Sequence, residues 1–149
     1  MTQTTAYFGK SCGFVEYSLL GTTFTDIGGT IDKVEVSEQT IKSGEVYTQE
    51  GATAIITSGK QEPIEINFTG VYSDIATEGY TVIKAAIACN GDVYLRWGPS
   101  TTVGDPLFSS GAAKIVGFQE PGLDAEDPVA MAWGFKIKCA SVTTGTVPA

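Results

Sequence analysis

The chain has 149 residues, a net charge of −8 and a pI near 4.4, with 42 % apolar and only 17 % charged residues. That is one domain's worth of chain with enough apolar material for a core. The acidic balance argues against gripping a phosphate backbone, which takes lysine and arginine, and the complete lack of histidine removes the usual catalytic base and the commonest zinc ligand.

Eighteen glycines and six prolines predict many turns and a β-rich fold. Three cysteines, Cys12, Cys89 and Cys139, stand far apart in no metal-ligand spacing. They are expected to be reduced, mostly buried thiols of a cytosolic product. The alternative is Cys12 pairing with another subunit. Residues 1–10 lack the apolar core of a signal peptide. No run approaches the ~18 apolar residues of a membrane helix. The expectation is a chain neither exported by that route nor membrane-spanning.

Residues 1–29 read as an arm, within which Phe14–Leu20 is either a first strand or a packed segment awaiting a partner. Thr30–Ser37 and Ala52–Thr57 read as a strand pair. The polar connection at 37–51 is too long for a tight hairpin. Connections above about 12 residues are usually functional or disordered, so this one is expected to lie on a neighbouring subunit through Glu38, Gln39, Ile41, Lys42, Val46 and Tyr47. The alternative is a surface flap with short strands of its own.

Pro63–Tyr72 alternates cleanly: Ile64, Ile66, Phe68 and Tyr72 share one face, Glu65, Asn67 and Thr69 the other. Thr77–Cys89 reads as the one helix, with Thr77 as cap, a buried stripe of Tyr80, Ile83 and Ile87 with Ala86 beside it, and an Asn90-Gly91 stop. It is too short to stand alone and must lie on the sheet. Asp92–Trp97 follows as a strand with Val93, Leu95 and Trp97 inward, ended by Gly98-Pro99.

After a polar loop, Leu107-Phe108 lead into a strand at 112–119, with Ala113 and Ile115 on one face and Lys114, Val116 and Phe118 on the other. An acidic connector follows at 123–128. The last strand, 129–139, puts Val129, Met131, Trp133, Phe135 and Ile137 on one face and small residues, then Lys136 and Lys138, on the other. Burying those five large side chains would contribute about 7–15 kcal/mol at about 1.5–3 kcal/mol each. Residues 141–149 read as a polar terminal arm. The expected architecture is mainly β, a sandwich of antiparallel sheets able to close into a barrel, with a single helix on its edge or outer face.

Candidate chemistry is sparse. Without histidine the usual base of a hydrolytic triad is absent. Asp124, Glu126 and Asp127 are close enough in sequence to suggest a carboxylate pair or a calcium site, but their setting among prolines reads as a solvated turn. Arg96 and Trp97 could form a stacking platform for a sugar or base, although Trp97 shares parity with Val93 and Leu95. No cofactor or metal is expected, and an enzyme is not expected.

The order of elements carries a resemblance. The strand at 63–72, the helix at 77–89, Val93-Tyr94-Leu95-Arg96-Trp97-Gly98-Pro99, Gly104-Asp105-Pro106-Leu107-Phe108, Ile115-Val116-Gly117-Phe118 and Asp127-Pro128-Val129 resemble the major tail tube proteins of long-tailed bacteriophages. The match spans about residues 63–141, and the first sixty residues offer no matching motif. The resemblance implies a single tail-tube domain over 1–149, in hexameric rings whose inner sheets form one continuous barrel. It implies stacking into a hollow tube that conducts phage DNA, with arms and a long loop bridging subunits and rings. The implied partners are copies of the chain itself, a tape measure, a tail terminator and a distal tail protein. DNA would pass through without sequence-specific binding, and the particle would be a virion tail assembled in the bacterial cytoplasm. The resemblance leans toward non-contractile tails. On it, Glu65, Asn67 and Thr69 are expected to face the channel, as part of a negative wall that repels DNA. Other readings are a different tail or head-to-tail connector protein of similar fold, or a carbohydrate-binding sandwich module, which sugar-dependent quenching of Trp97 or Trp133 would reveal.

Overall fold

The computed structural model describes residues 13–149. Ten strands and one helix occur in these residues. Sheet A runs β2 (Thr25–Asp26), β1 (Phe14–Ser18), β7 (Val93–Gly98) and the first half of β8 (Pro106–Gln119), with β10 (Thr143–Thr146) on β8's far side. Sheet B runs from the second half of β8 through β9 (Ala132–Cys139) and β6 (Ile64–Val71) to β3 (Ile31–Val36). All these pairings are antiparallel. The long β8 belongs to both sheets. Gly111 bends it at φ +62°, a conformation that a side chain at that position would resist. The fold is thus the expected mainly β sandwich with one helix, with its two sheets joined through a shared strand.

The core lies between the sheets. Ile66, Phe68, Ile83, Val93, Leu95, Trp133, Phe135 and Ile137 are each at most 1 % exposed. Phe68 stacks on Phe135 at 4.7 Å, Phe135 on Trp133 at 5.5 Å, and Trp97 meets Phe68 edge-on at 6.1 Å. The helix α1 (Gly79–Cys89) is not on the outer face. Its Tyr80 packs against Trp133 and Phe118, which point inward, and Ile83 enters the same core.

Several expectations need correction. Thr77 does not cap the helix; Glu78 occupies the N-cap position and makes no side-chain cap bond, while Asn90 ends the helix in the left-handed conformation at φ 49°. Ile87 is exposed because the helix turns only a narrow stripe, Gly79, Ile83 and Ala86, into the core. Met131 and Val129 are exposed because β9 begins at Ala132, so the large residues that the strand buries are Trp133, Phe135 and Ile137. Val116 is an extra residue in β8, between the pairs Ile115↔Ile137 and Gly117↔Lys136. This bulge reverses the alternation after it and turns Phe118 inward, opposite Phe135.

The segment 30–61 also pairs differently from the expectation. β3 pairs with β6, and the connection is no bare loop: β4 (Ile41–Val46) and β5 (Ile55–Gln61) form their own two-stranded ribbon. Bonds from Ser37 N–H to the Glu65 carbonyl and from Glu62 N–H to the Thr40 carbonyl join it to the β3–β6 ladder. The result is one long hairpin that runs past the end of sheet B. Residues 14–18 and 25–26, within the expected N-terminal arm, are strands of sheet A. The expected C-terminal arm contributes β10, held on β8 by backbone pairing at Thr143–Thr146. Residues 1–12, with Cys12, lie outside the described residues.

Candidate assembly surfaces

Alternation in β6 sends Glu65, Asn67 and Thr69 to the outward face of sheet B, as their spacing in the sequence implies. Register then decides what joins them. Glu65 stands opposite Lys138, Asn67 opposite Lys136, and Lys138 opposite Lys114. On the β3 side, Glu35 faces Asn67 and Lys33 faces Thr69. The acidic wall expected here is therefore absent. Lys33, Lys114, Lys136 and Lys138 share the face and its margin with Asp32, Glu35, Glu65 and Asp92. The pairs formed are Lys33–Glu35, Lys114–Asp92 at 2.8 Å and Lys136–Glu65 at 3.6 Å. Glu35 holds the Lys33 ammonium above its ordinary pKa, first through their hydrogen bond and then through charge attraction. The chain is strongly acidic, yet this face is nearly balanced. Sequence alternation already set Lys136 and Lys138 on one side of the last strand; their meeting with Glu65 needed the strand order.

Sheet B ends on two strands unpaired on their outer sides among the described residues: the second half of β8 and β3. Both half-bury their inward apolar residues, Ile115 and Phe118 on β8, Ile31 and Val34 on β3, and Val36 is 46 % exposed. The inward residues of the central strands are sealed. Missing cover is thus concentrated at the two edges, where an added strand would supply it.

The β4–β5 ribbon is exposed along its whole length. Glu38, Ile41, Lys42, Val46 and Tyr47 are exposed, with Ile55 and Ile56 across the ribbon; Gln39 is half-buried and donates to the Glu62 carbonyl. An isolated two-stranded ribbon is marginal in water. Five large apolar residues, Ile41, Val46, Tyr47, Ile55 and Ile56, nevertheless stand out from this one.

Arg96 and Trp97 are both engaged within the chain. Arg96 pairs with Glu16 and lies over the Phe24 ring at 3.9 Å, and Trp97 packs between Phe68 and Phe108. In the acidic connector, the Asp124 and Asp127 carboxylates accept from the N–H groups of Glu126 and Val129, each at 3.0 Å, as turn side chains do. Among the described residues no three His, Cys, Asp or Glu side chains converge on a point that could hold a metal. Cys139 is buried, and burial raises its thiol pKa; Cys89 is exposed, contrary to the expectation of mostly buried thiols. No helix of the described residues is long and apolar enough to cross a membrane.

No protein-family model matches the chain, and no curated protein matches it. Solved structures do. A chain of the sheath/tube terminator of an extracellular contractile injection system, PVC, is similar with a TM-score of 0.76 at 12 % identity, covering 95 % of this chain and 99 % of that one. A chain of the anti-feeding prophage tube-terminating cap gives 0.72 at 12 % identity, over 98 % and 95 %. A chain of the tail of an empty gene transfer agent particle, solved with C6 symmetry, gives 0.62 at 12 % identity, over 89 % and 93 %. At such identities the likeness is one of fold, shared with those tail and injection-system chains.

Proposed function

We propose that the chain is a tail-tube subunit, a structural virion protein that closes with its own copies into stacked, hexameric rings and conducts DNA through their bore. The observation that carries the reading is the pair of open edges on sheet B. The sheet has four strands, each antiparallel to the next, so its first and last strands run in opposite directions. The β8 edge of one copy laid against the β3 edge of another therefore continues the antiparallel order. Repetition around an axis yields a closed barrel with no exposed edge. Such a contact is head-to-tail and makes a ring when the rotation closes.

Several further features support the reading. The fold is that of tail and injection-system proteins, one of them solved with C6 symmetry. The projecting ribbon is suited to bridge toward a neighbouring subunit or ring. The face with Glu65, Asn67 and Thr69 is polar and close to charge balance. A wall of that kind passes DNA without the counterion release that makes basic surfaces adhesive. Tape measure, tail terminator and distal tail proteins would be the remaining partners in a particle assembled in the bacterial cytoplasm. The structural neighbours include contractile systems, so they lend no weight to the non-contractile tails that the sequence resemblance favours.

Negative-stain microscopy of the purified full chain, with sedimentation at high concentration, tests the proposal. Rings or tubes with a central hole are expected. A featureless monomer at every concentration would overturn it.

A further inference from the structure

The two ends of sheet B differ in charge. At one end β3 closes at Val36, β6 opens at Ile64 and β9 closes at Cys139, and the β4–β5 ribbon leaves from there. A hollow opens at the ribbon's base, lined by Lys42, Lys60 and Lys138 together with Glu38, Glu62 and Glu65. Among the described residues these are the only lysines in no ion pair; Lys33, Lys84, Lys114 and Lys136 each hold a carboxylate. Glu65 is taken by Lys136. That leaves three uncommitted ammonium groups in the hollow against two uncommitted carboxylates.

At the other end β6 closes at Val71, β8 closes at Gln119 and β9 opens at Ala132. The loops there, 72–78 and 120–131, carry Asp74, Glu78, Glu120, Asp124, Glu126 and Asp127 and no lysine or arginine. Glu120 pairs with Lys84. Asp124 and Asp127 each commit one oxygen to the turns of the connector, and Glu126 stands exposed beside them. Leu123 and Val129, 88 % and 74 % exposed, flank these acids. The two ends lie a strand's length apart: β6 has 8 residues between them, about 25 Å at about 3.3 Å per residue. The connector and the hollow of one chain therefore do not meet.

We propose that the hollow receives the 120–131 connector of a second copy, in the next ring of the stack, with Lys42, Lys60 and Lys138 facing Asp124, Glu126 and Asp127. This deepens the tail-tube reading and rests on it. Charge makes the contact directional. Connector end against connector end sets carboxylates against carboxylates, a juxtaposition that costs several kcal/mol at interfaces. Only head to tail do the uncommitted lysines meet uncommitted acids. A head-to-tail contact along the strand direction does not close on itself, so it propagates. The ribbon rises from the rim of the hollow, where Lys42 and Lys60 flank its base. A seated connector thus brings Leu123 and Val129 toward the ribbon's exposed Ile41, and apolar surface on both copies is covered together.

Zero-length carbodiimide coupling of wild-type tubes tests the contact, because it joins an amine to a carboxylate only where the two touch. Peptide mapping is expected to find Lys42, Lys60 or Lys138 bonded to the peptide that holds Asp124, Glu126 and Asp127. Such a bond lies between copies, given the distance within one chain. Tubes that yield other bonds but none of these overturn the contact and leave the tail-tube reading standing. Charge reversal supplies a second readout. Lys42→Glu/Lys60→Glu, and separately Glu126→Lys, alter exposed side chains outside the core. Each should leave rings intact and raise the protein concentration needed for tubes several-fold, and the three changes in one chain should bring it back toward the wild-type value. Reversals that leave this concentration unchanged overturn the contact. Wild-type rings that never stack give the hollow to another tail protein and overturn it as well. A wild-type chain that never forms rings overturns both the contact and the reading beneath it.

Discussion

Lys138 stands directly across the β8–β9 ladder from Lys114, and Glu65 faces Lys138 from the other side. Like charges directly opposed in a sheet are unfavourable. The face tolerates them because Asp92 reaches Lys114 and Glu65 sits beside both Lys136 and Lys138. Glu65→Lys removes the central carboxylate and adds a fourth ammonium to Lys114, Lys136 and Lys138. Each opposed like pair costs roughly 0.2–1 kcal/mol, so the urea midpoint should fall by an amount worth about 1 kcal/mol. Added salt should recover part of it, since the Debye length is only about 10 Å at 0.1 M. If this face lines the bore, the same substitution turns a balanced wall basic. Genome ejection from particles carrying it should then slow at low salt; ejection unchanged at low salt would place the face elsewhere.

The core makes a contrast that equilibrium unfolding can read. Phe68 is fully buried and stacked on Phe135. Phe68→Ala should cost about 3–5 kcal/mol through lost burial and the cavity left behind. Ile87 and Met131 share the apolar pattern in the sequence but stand 38 % and 37 % exposed. Their alanine variants should each cost under about 1 kcal/mol in the isolated subunit. A loss at Ile87 comparable with that at Phe68 would mean that the helix is seated differently.

That contrast marks how far the sequence could be read. β6, β7 and β9 were legible because each buries one face of a regular strand, and alternation reports that directly. The helix was legible from its stripe and its Asn90 stop. Phe118 was misplaced because a bulge at Val116 leaves no mark in residue type. β4 falls inside the expected polar connection, and the expected strand at 52–57 overlaps only the start of β5 and pairs with β4 instead of β3, since neither strand has a buried face to impose a pattern. β10 is Thr-Thr-Gly-Thr, held by its backbone alone. The charge balance around Glu65 depended on strand order, which brings Lys33 and Lys114 from distant parts of the chain onto one sheet.

The ribbon provides a separation of folding from assembly. β4 and β5 are exposed throughout and contribute nothing to the core. Replacing residues 40–62 by a short Gly-Ser turn between Gln39 and Pro63 closes the β3–β6 ladder directly. Circular dichroism and the midpoint of thermal unfolding should change little. Tube formation should be lost, because the apolar side chains Ile41, Val46, Tyr47, Ile55 and Ile56 leave with the ribbon. Normal tubes from this variant would remove the ribbon from the assembly contacts.

Tyr80 ties the start of the helix to the end of β8. Its hydroxyl donates to Glu120 at 2.7 Å and accepts from Lys84 at 3.0 Å, and Lys84 reaches Glu120 at 3.0 Å. The helix has no side-chain cap, so this tether does part of a cap's work. The Tyr80 hydroxyl, and then Lys84, hold the Glu120 carboxyl below its ordinary 4.5. The Lys84 ammonium is held above its ordinary 10.5 by Tyr80 first and Glu120 second. The depressed carboxyl stabilises the fold fully above its ordinary value, and that contribution is lost as pH falls through the lower folded value. The raised ammonium contributes up to its ordinary value and loses its effect only in strong alkali. Both are therefore present at neutral pH. The wild type should exceed Glu120→Gln in thermal midpoint at pH 7, and the gap should narrow as pH drops below about 4.5, the ordinary range of a glutamate. Because all three groups are open to water, salt should shrink the gap as well. Tyr80→Phe keeps the ring against Trp133 while deleting the hydroxyl, and should flatten the acid limb in the same way. A gap between wild type and Glu120→Gln that stays constant from pH 7 to 3 would show that the carboxyl's charge is not what the tether uses.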